Sequence, residues 1–248
     1  MPRAPEAVDA ARAGLAPERN GARVLGLRPL DVTEGSPVGR VEAIRIDGEA
    51  PDFETVDRAV SALGAGGLLI FPTDTLYALG GLALDRAAVR RVREAKGRDD
   101  AKPLPLVVAD VAQAQSIARH WSSAARLLAA HFWPGPLTLV LPAAAHVPDE
   151  VTAGTGTVAV RVPALELTRL LCRLAGPLTS TSANRAGRPA PETCQAALAE
   201  FPSFAGLALD AGPGRAHPST IVDTTGGVVR LVRLGAVPWS DVEAVVGT

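Results

Sequence analysis

The stretch Leu68-Leu69-Ile70-Phe71-Pro72-Thr73-Asp74-Thr75 decides the fold class. Four consecutive apolar residues stopped by a proline read as a strand buried on both faces, which requires a sheet covered by helices. On its N-terminal side, Val56, Ala59, Val60 and Leu63 recur at the 3.6-residue period after Asp52 and stop at the glycine-rich residues 64–67, predicting a helix. On the other side Asp85 can cap a second helix carrying Val89 and Val92, and residues 104–108 are a second apolar strand.

The alternation continues along the chain. Short helices are expected around 111–119 and 123–130, then a knuckle at Phe132-Trp133-Pro134-Gly135-Pro136 and a strand at 137–141. Residues 157–162 alternate cleanly as a strand, 165–174 form a helix ending at Gly176, and 178–182 form a strand running into a Gly/Pro loop. A helix at 192–200, a strand at 207–209 and a hairpin pairing 220–222 with 228–233 follow, and Ser240 with Glu243 makes a capping box for a last helix. Strands alternating with helices, plus a late hairpin, indicate an α/β fold: one domain with a twisted mixed sheet and flanking helices over residues 51–248. Residues 1–50, rich in Ala, Pro, Gly and Arg, read as an N-terminal extension of uncertain order with one strand at 41–46.

Composition excludes several classes. With 248 residues, 47% hydrophobic and 21% charged, the chain is neither fibrous nor disordered and can bury a sizeable core. No apolar run approaches the roughly 18–20 residues that span a bilayer, and the N-terminus offers no secretory core, so a soluble cytoplasmic protein without membrane contact is expected. Cys172 and Cys194 lie in apolar helical patterns and read as reduced buried thiols. The four histidines show no metal-ligand spacing, so no metal site is expected.

The net charge of −1 conceals a local feature. Residues 86–102 hold seven basic and three acidic residues, including Lys96 and Lys102, the chain's two lysines against 23 arginines. Such a cluster is either a solvated helix face or a place where compact point charges are wanted. Further on, side-chain alternation puts Thr157, Ala159 and Arg161 on one face of their strand, and Ser180, Ser182 and Asn184 on one side of theirs. Arg161 either faces water, pairs with an acidic neighbour, or receives an anion. Two more polar groups end strands: Thr73-Asp74-Thr75, with the sole tyrosine Tyr77 behind it, and His217-Pro218-Ser219-Thr220. Strand ends are where open α/β sheets bind ligands, and hydroxyls, an amide and cations together suit a polyanion beside a small polar molecule. No Walker loop and no dinucleotide-binding glycine motif is present, and a Ser182, His217, Asp223 triad lacks its supporting turn.

Taken in order, Phe71-Pro72-Thr73-Asp74-Thr75-Leu76-Tyr77, Lys96-Gly97-Arg98, Trp133-Pro134-Gly135-Pro136-Leu137-Thr138, Thr181-Ser182-Ala183-Asn184, Pro218-Ser219-Thr220-Ile221-Val222-Asp223 and Arg233-Leu234-Gly235-Ala236 resemble the YrdC-like family of threonylcarbamoyl-AMP synthases. The resemblance covers roughly residues 52–248 and implies a twisted α/β sheet with a concave basic cleft, without the extra C-terminal domain of longer members. It implies a nucleotidyltransferase that joins L-threonine, bicarbonate and ATP into threonylcarbamoyl-AMP, releasing pyrophosphate, for the threonylcarbamoyladenosine modification of tRNA. By resemblance Lys96, Arg98, Ser182 and Asn184 are the catalytic set. They would bind ATP together with Lys102, Thr157 and Arg233, while Thr75, Arg161, Ser180 and Thr220 would hold threonine. Magnesium would come with ATP. Possible contact with tRNA or double-stranded RNA at the basic cleft and a downstream threonylcarbamoyl transferase complex are the implied macromolecular partners.

The chain departs from the family pattern in three places. Lys102 stands where Asn is frequent, Val107 where a His contributes a polar contact to threonine, and Ala78 where a glycine often follows the tyrosine. Two alternatives remain at this point. One is an RNA-binding module that grips phosphodiesters through the 86–102 cluster. The other is carbamoyl-group transfer, as in the related domains of hydrogenase-maturation proteins.

Overall fold

The computed structural model describes residues 41, 43–97, 102–204, 206–214 and 217–247. In chain order its elements begin β1 (Ala43–Arg45), α1 (Phe53–Gly64), β2 (Leu68–Phe71), β3 (Ala78–Gly80), α2 (Arg86–Lys96), β4 (Leu106–Val107) and α3 (Val111–Ile117). They continue with α4 (Ser123–Phe132), β5 (Leu137–Pro142), α5 (Asp149–Thr152), β6 (Thr157–Arg161), α6 (Glu166–Ala175), β7 (Leu178–Thr179) and β8 (Thr181–Ser182). The remainder is α7 (Cys194–Glu200), β9 (Gly206–Asp210), β10 (Thr220–Asp223), β11 (Arg230–Arg233) and α8 (Trp239–Val246).

The α/β class and mixed pairing read from the sequence stand, but the described strands form two sheets rather than one. The first has the order β1-β9-β2-β3-β8 and the second β11-β10-β5-β6-β4-β7. The strand expected at 178–182 is divided between them. β7 pairs antiparallel with β4 in the second sheet, β8 pairs antiparallel with β3 in the first, and Ser180 is the residue between. Gly80 makes the seam possible: a β-carbon there would stand 1.8 Å from the Thr179 carbonyl oxygen, so only glycine lets β3 come so close.

β1, expected within 41–46, pairs parallel with β9 at the edge of the first sheet. The division placed at residue 50 therefore falls after a strand that already belongs to the fold. Residues 1–40, most of the expected extension, lie outside the described residues.

The first sheet is covered on both faces, as the apolar run at 68–71 required. Leu69 and Phe71 pack with Val56, Ala59 and Leu63 of α1 and Leu167 and Leu171 of α6, whereas Leu68 and Ile70 join the other cluster. Each such fully buried aliphatic side chain contributes about 1.5–3 kcal/mol relative to exposure. The second sheet buries Leu137, Leu139, Leu141, Val158 and Val160 against Ile117, Ala125 and Leu128 of α3 and α4. Its opposite face carries Thr138, Val140, Thr157, Ala159 and Arg161 and stays open to a cavity.

Local signals explain most element ends. The Asp52 carboxylate accepts from the Thr55 amide at 2.8 Å, the Asp85 carboxylate accepts from the Ala87 amide at 2.8 Å, and Gly97 closes α2 at φ 58°. The capping box at Ser240 does not form. The helix begins at Trp239 behind Pro238 with no side-chain cap, which places Ser240 inside the first turn with its hydroxyl toward Asp241. Both cysteines are free thiols buried in the core.

Candidate functional site

A cavity of about 750 Å³ lies where the two sheets meet, floored by the open face of the second sheet. Strand alternation builds that floor. Ile221 stands beside Thr138, Val140 beside Ala159, and Arg161 beside Val107, each pair in register on neighbouring strands. Thr73, Thr75 and Tyr77 form one wall, and Ser180, Ser182 and Asn184 another. Arg188, Pro189, Ala190 and Glu192 close a third side, and Val232 with Arg233 form the rim.

The inner end is cationic and held by a network of hydrogen bonds. Arg161 is almost wholly buried and donates from Nη1 to Asp74 Oδ1 at 2.7 Å. Its remaining N–H groups have no partner among the described residues and line the cavity. Burial pulls the guanidinium pKa down, and Asp74 opposes that by favouring the charged form. Asp74 is held by the turn that carries it. The Thr73 hydroxyl donates to the Leu76 carbonyl at 2.7 Å and accepts from the Thr75 and Leu76 amides, while Thr168 on α6 donates to the Pro72 carbonyl at 2.8 Å. The Thr75 hydroxyl meets that of Thr73 at 2.9 Å. Nearby, the Ser180 hydroxyl faces the cavity with no protein partner among the described residues. Tyr77 closes the back wall, its hydroxyl donating to the Gly212 carbonyl at 2.6 Å. Burial pushes its pKa well above the usual phenol value.

Lys96 and the Ser182/Asn184 pair, 86 and 88 residues apart in the chain, meet at the other end. The Lys96 ammonium donates to the carbonyl oxygens of Ser182 and Asn184, to Asn184 Oδ1 at 2.8 Å and to Ser182 Oγ at 3.3 Å. Ser182 Oγ also donates to Asn184 Oδ1 at 2.6 Å, and the Asn184 amide donates to the Arg188 carbonyl. This buried lysine thus ties the loop that supplies the cavity's amide and hydroxyl. Between the two ends, Arg233 donates from Nη2 to the Ser219 carbonyl at 2.7 Å, and Ser219 Oγ shares a 2.8 Å hydrogen bond with Thr138. Burial lowers the Arg233 pKa, and so does the positive charge of Arg161, which marks the two guanidinium groups as electrostatic neighbours.

Most of the expected site residues converge. Thr75, Thr157, Arg161, Ser180, Ser182, Asn184 and Arg233 all line the cavity, with Lys96 directly behind Ser182 and Asn184. Lys102 is exposed next to Pro103, which lines the cavity, and Arg98 lies outside the described residues. Thr220 does not line the cavity. Its hydroxyl is fully buried, donates to the Val237 carbonyl at 2.6 Å and accepts from the Gly235 and Val237 amides, so it is spent on the fold. Alternation is the reason: Ile221 of the same strand faces the cavity, and Thr220 faces the other way. Ser219 and Thr138, not assigned from the sequence, take that side of the site.

The basic run at 86–102 is largely engaged within the molecule. Arg86 and Arg90 pair with Glu150 at 2.8 and 3.0 Å, Arg91 donates to the Gly66 carbonyl, and Arg93 donates to the carbonyls of Glu150 and Lys102.

Comparison with known proteins places this geometry. The family model for Sua5, YciO and YrdC proteins, described as telomere recombination, matches residues 61–235. A threonylcarbamoyl-AMP synthase of Pyrococcus abyssi is 40% identical over 191 residues, covering 76% of this chain and 56% of that protein. One of Bacillus subtilis is 34% identical over 195 residues, covering 77% of this chain and 56% of that protein. The chain thus spans little more than half the length of these curated relatives. The crystal structure of P. abyssi Sua5 complexed with L-threonine superposes with a TM-score of 0.79 at 38% identity, covering 83% of this chain and 61% of that one.

Proposed function

Given that this chain belongs to the Sua5, YciO and YrdC family, we propose that it is an L-threonylcarbamoyladenylate synthase, joining L-threonine, bicarbonate and ATP to give threonylcarbamoyl-AMP and pyrophosphate. The observation that carries the reading is the convergence, in one cavity of about 750 Å³, of a buried arginine with free donors at one end and a lysine-tied Ser/Asn loop at the other. Pockets for small molecules span roughly 300–1,000 Å³, so there is room for a nucleotide beside an amino acid.

In this reading the threonine amine forms a bond to the bicarbonate carbon as one of its C–O bonds breaks and water leaves, and the resulting carbamate presents an oxygen to the α-phosphorus of ATP. The new bond is carbamate oxygen to phosphorus. The bond that breaks joins the α-phosphorus to the bridging oxygen, whose electron pair leaves with pyrophosphate. The protein's work is positioning and charge stabilisation. Arg161 receives the amino-acid carboxylate in a planar fork, Thr75 and Ser180 offer hydroxyls beside it, and Val107 supplies an apolar wall next to Arg161. Ser182, Asn184, Thr157 and Arg233 meet the nucleotide and its phosphates, with Lys96 fixing the first two.

Magnesium belongs to the nucleotide in this scheme. Among the described residues no group of three or more His, Cys, Asp or Glu could hold a metal, and Glu192 is the sole carboxylate lining the cavity. That donor set does not fit a protein-held ion, and the ion would ride on the phosphates.

The product would serve threonylcarbamoyladenosine formation in tRNA through a downstream transferase complex. Direct contact with tRNA or double-stranded RNA has less support, because the arginines of α2 are already paired within the fold. A cytoplasmic setting is supported by the two free buried thiols, and no described helix is long and apolar enough to cross a membrane.

The test is pyrophosphate release. It should require threonine and bicarbonate together, and ATP turnover indifferent to threonine would overturn the reading. Replacement of bicarbonate by carbamoyl phosphate would point to carbamoyl transfer instead.

A further inference from the structure

The cavity lining holds Arg161, Arg188 and Arg233 against one carboxylate, Glu192 on the third side, and at the inner end a further carboxylate, Asp74, moderates the charge. Arg161 and Arg233 both line it, and Lys96 lies buried just behind its opposite wall. Asp74 does not line the cavity, yet it bonds the inner arginine at 2.7 Å and is itself only 9% exposed. The pair also bridges the seam, because Asp74 sits on the turn after β2 of the first sheet and Arg161 ends β6 of the second. The Thr73 knot and the Thr168 bond fix that turn, so Asp74 is presented to Arg161 rather than merely passing near it.

We propose that Asp74 is a specificity-determining positioning residue: by occupying one edge of the Arg161 guanidinium it restricts the inner end of the cavity to a single carboxylate and keeps polyphosphate out. This rests on the reading of that end as the amino-acid site. A guanidinium has five N–H donors; with one committed to Asp74, the rest form a fork of fixed orientation that suits a planar carboxylate. Without Asp74 the Arg161 guanidinium has no carboxylate partner, and with Arg233 as its electrostatic neighbour toward the rim the field there favours a multiply charged anion. Asp74 thereby separates two anionic ligands that share one cavity: the carboxylate goes to the inner end, and the phosphates go to the end where Lys96 ties Ser182 and Asn184.

The experiment compares the full-length chain with Asp74→Asn and with the double variant Asp74→Asn/Arg161→Gln, using L-threonine and inorganic pyrophosphate as separate probes in calorimetry and thermal melts. For Asp74→Asn, threonine affinity should fall about tenfold or more as Arg161 loses its fixed orientation. Pyrophosphate affinity should rise about threefold or more at low salt, from the added unit of positive charge. The double variant should lose threonine binding and show no gain for pyrophosphate. If Asp74→Asn folds poorly because Arg161 is left unpaired, pyrophosphate should raise its melting temperature more than it raises that of the parent, and threonine should not. Unchanged threonine affinity in Asp74→Asn, or a pyrophosphate response equal to the parent's in both assays, overturns the proposal. A parent chain that does not bind threonine at all would instead refute the proposed function, and the pyrophosphate comparison would still decide the role of Asp74.

Discussion

Replacing Lys96 by methionine keeps the length and apolar stem of the side chain and removes only the ammonium. Among the described residues that ammonium faces four oxygens, two carbonyls plus Asn184 Oδ1 and Ser182 Oγ, with three N–H groups to share among them. Losing three charge-assisted bonds at about 1.5 kcal/mol net each, the low end because the cavity can admit water to the exposed oxygens, predicts a loss of about 4–5 kcal/mol in folding stability. The functional effect should be selective. Ser182 and Asn184 lose their tether, so affinity for a non-hydrolysable ATP analogue should fall about tenfold or more, whereas threonine, held at the Arg161 end, should bind within about threefold of the parent. Lys96→Arg separates two ways of using the charge. A planar guanidinium cannot converge on four oxygens gathered around one point, so if Lys96 acts by tying the loop, arginine should not rescue; if it touches phosphate directly, arginine should keep most of the affinity. Urea denaturation and calorimetry with each ligand measure the two halves. Lys96→Met with unaltered stability and ATP affinity, or full rescue by arginine, would refute the reasoning.

Thr220→Val should cost about 2–5 kcal/mol, because two backbone amides and a carbonyl lose their common partner, and the loss should show in the denaturation midpoint rather than in the KM for threonine; a raised threonine KM at unchanged stability would return Thr220 to the site. Val107→Ala should reduce the preference for threonine over serine in kcat/KM by about fivefold or more, since one apolar wall beside Arg161 recedes from the substrate methyl, and an unchanged ratio would place the methyl elsewhere. Burial pushes the Cys172 thiol up to about 12 and the Cys194 thiol up to about 11, against 9.0 unperturbed. Both should resist alkylation at pH 8 in the folded protein. In the unfolded chain each thiol sheds its proton from about pH 9, while the folded protein keeps it until its own raised value, so their contribution to stability is present below pH 9 and is lost as pH rises toward 11 and 12. Rapid native alkylation, or a stability that climbs with pH across that window, would contradict their burial.

How far the sequence discloses this site depends on whether a residue's direction is set locally. Alternation along β6 is a backbone property, so the shared face of Thr157, Ala159 and Arg161 is legible before any tertiary contact is known. The same rule turns Thr220 away from the cavity, since Ile221 claims that face of β10. The helices at Asp52 and Asp85 are legible because their caps act within three residues. β3 is not, because three residues containing a glycine carry no period and become a strand only by lying between β2 and β8. The capping box at Ser240 shows the limit from the other side, a correct local pattern left two positions inside the helix start that Pro238 sets.

The two facts that make the cavity are of a different kind. Ser180 changes sheets because β4 and β3 offer edges to successive short strands, and the Asp74–Arg161 strut exists because that change brings a turn of one sheet against a strand of the other. The polar residues Thr73-Asp74-Thr75 and Arg161 each looked like an ordinary strand end or an ordinary ion pair. The ion pair is real, and it is also what aims the arginine. In a water-lined cleft the attraction between such groups would be worth little, but at 7% and 9% exposure neither partner can be removed without stranding the other. A buried pair of this kind stabilises the fold weakly and dictates geometry strongly, and here the geometry it dictates is the direction of the donors left over.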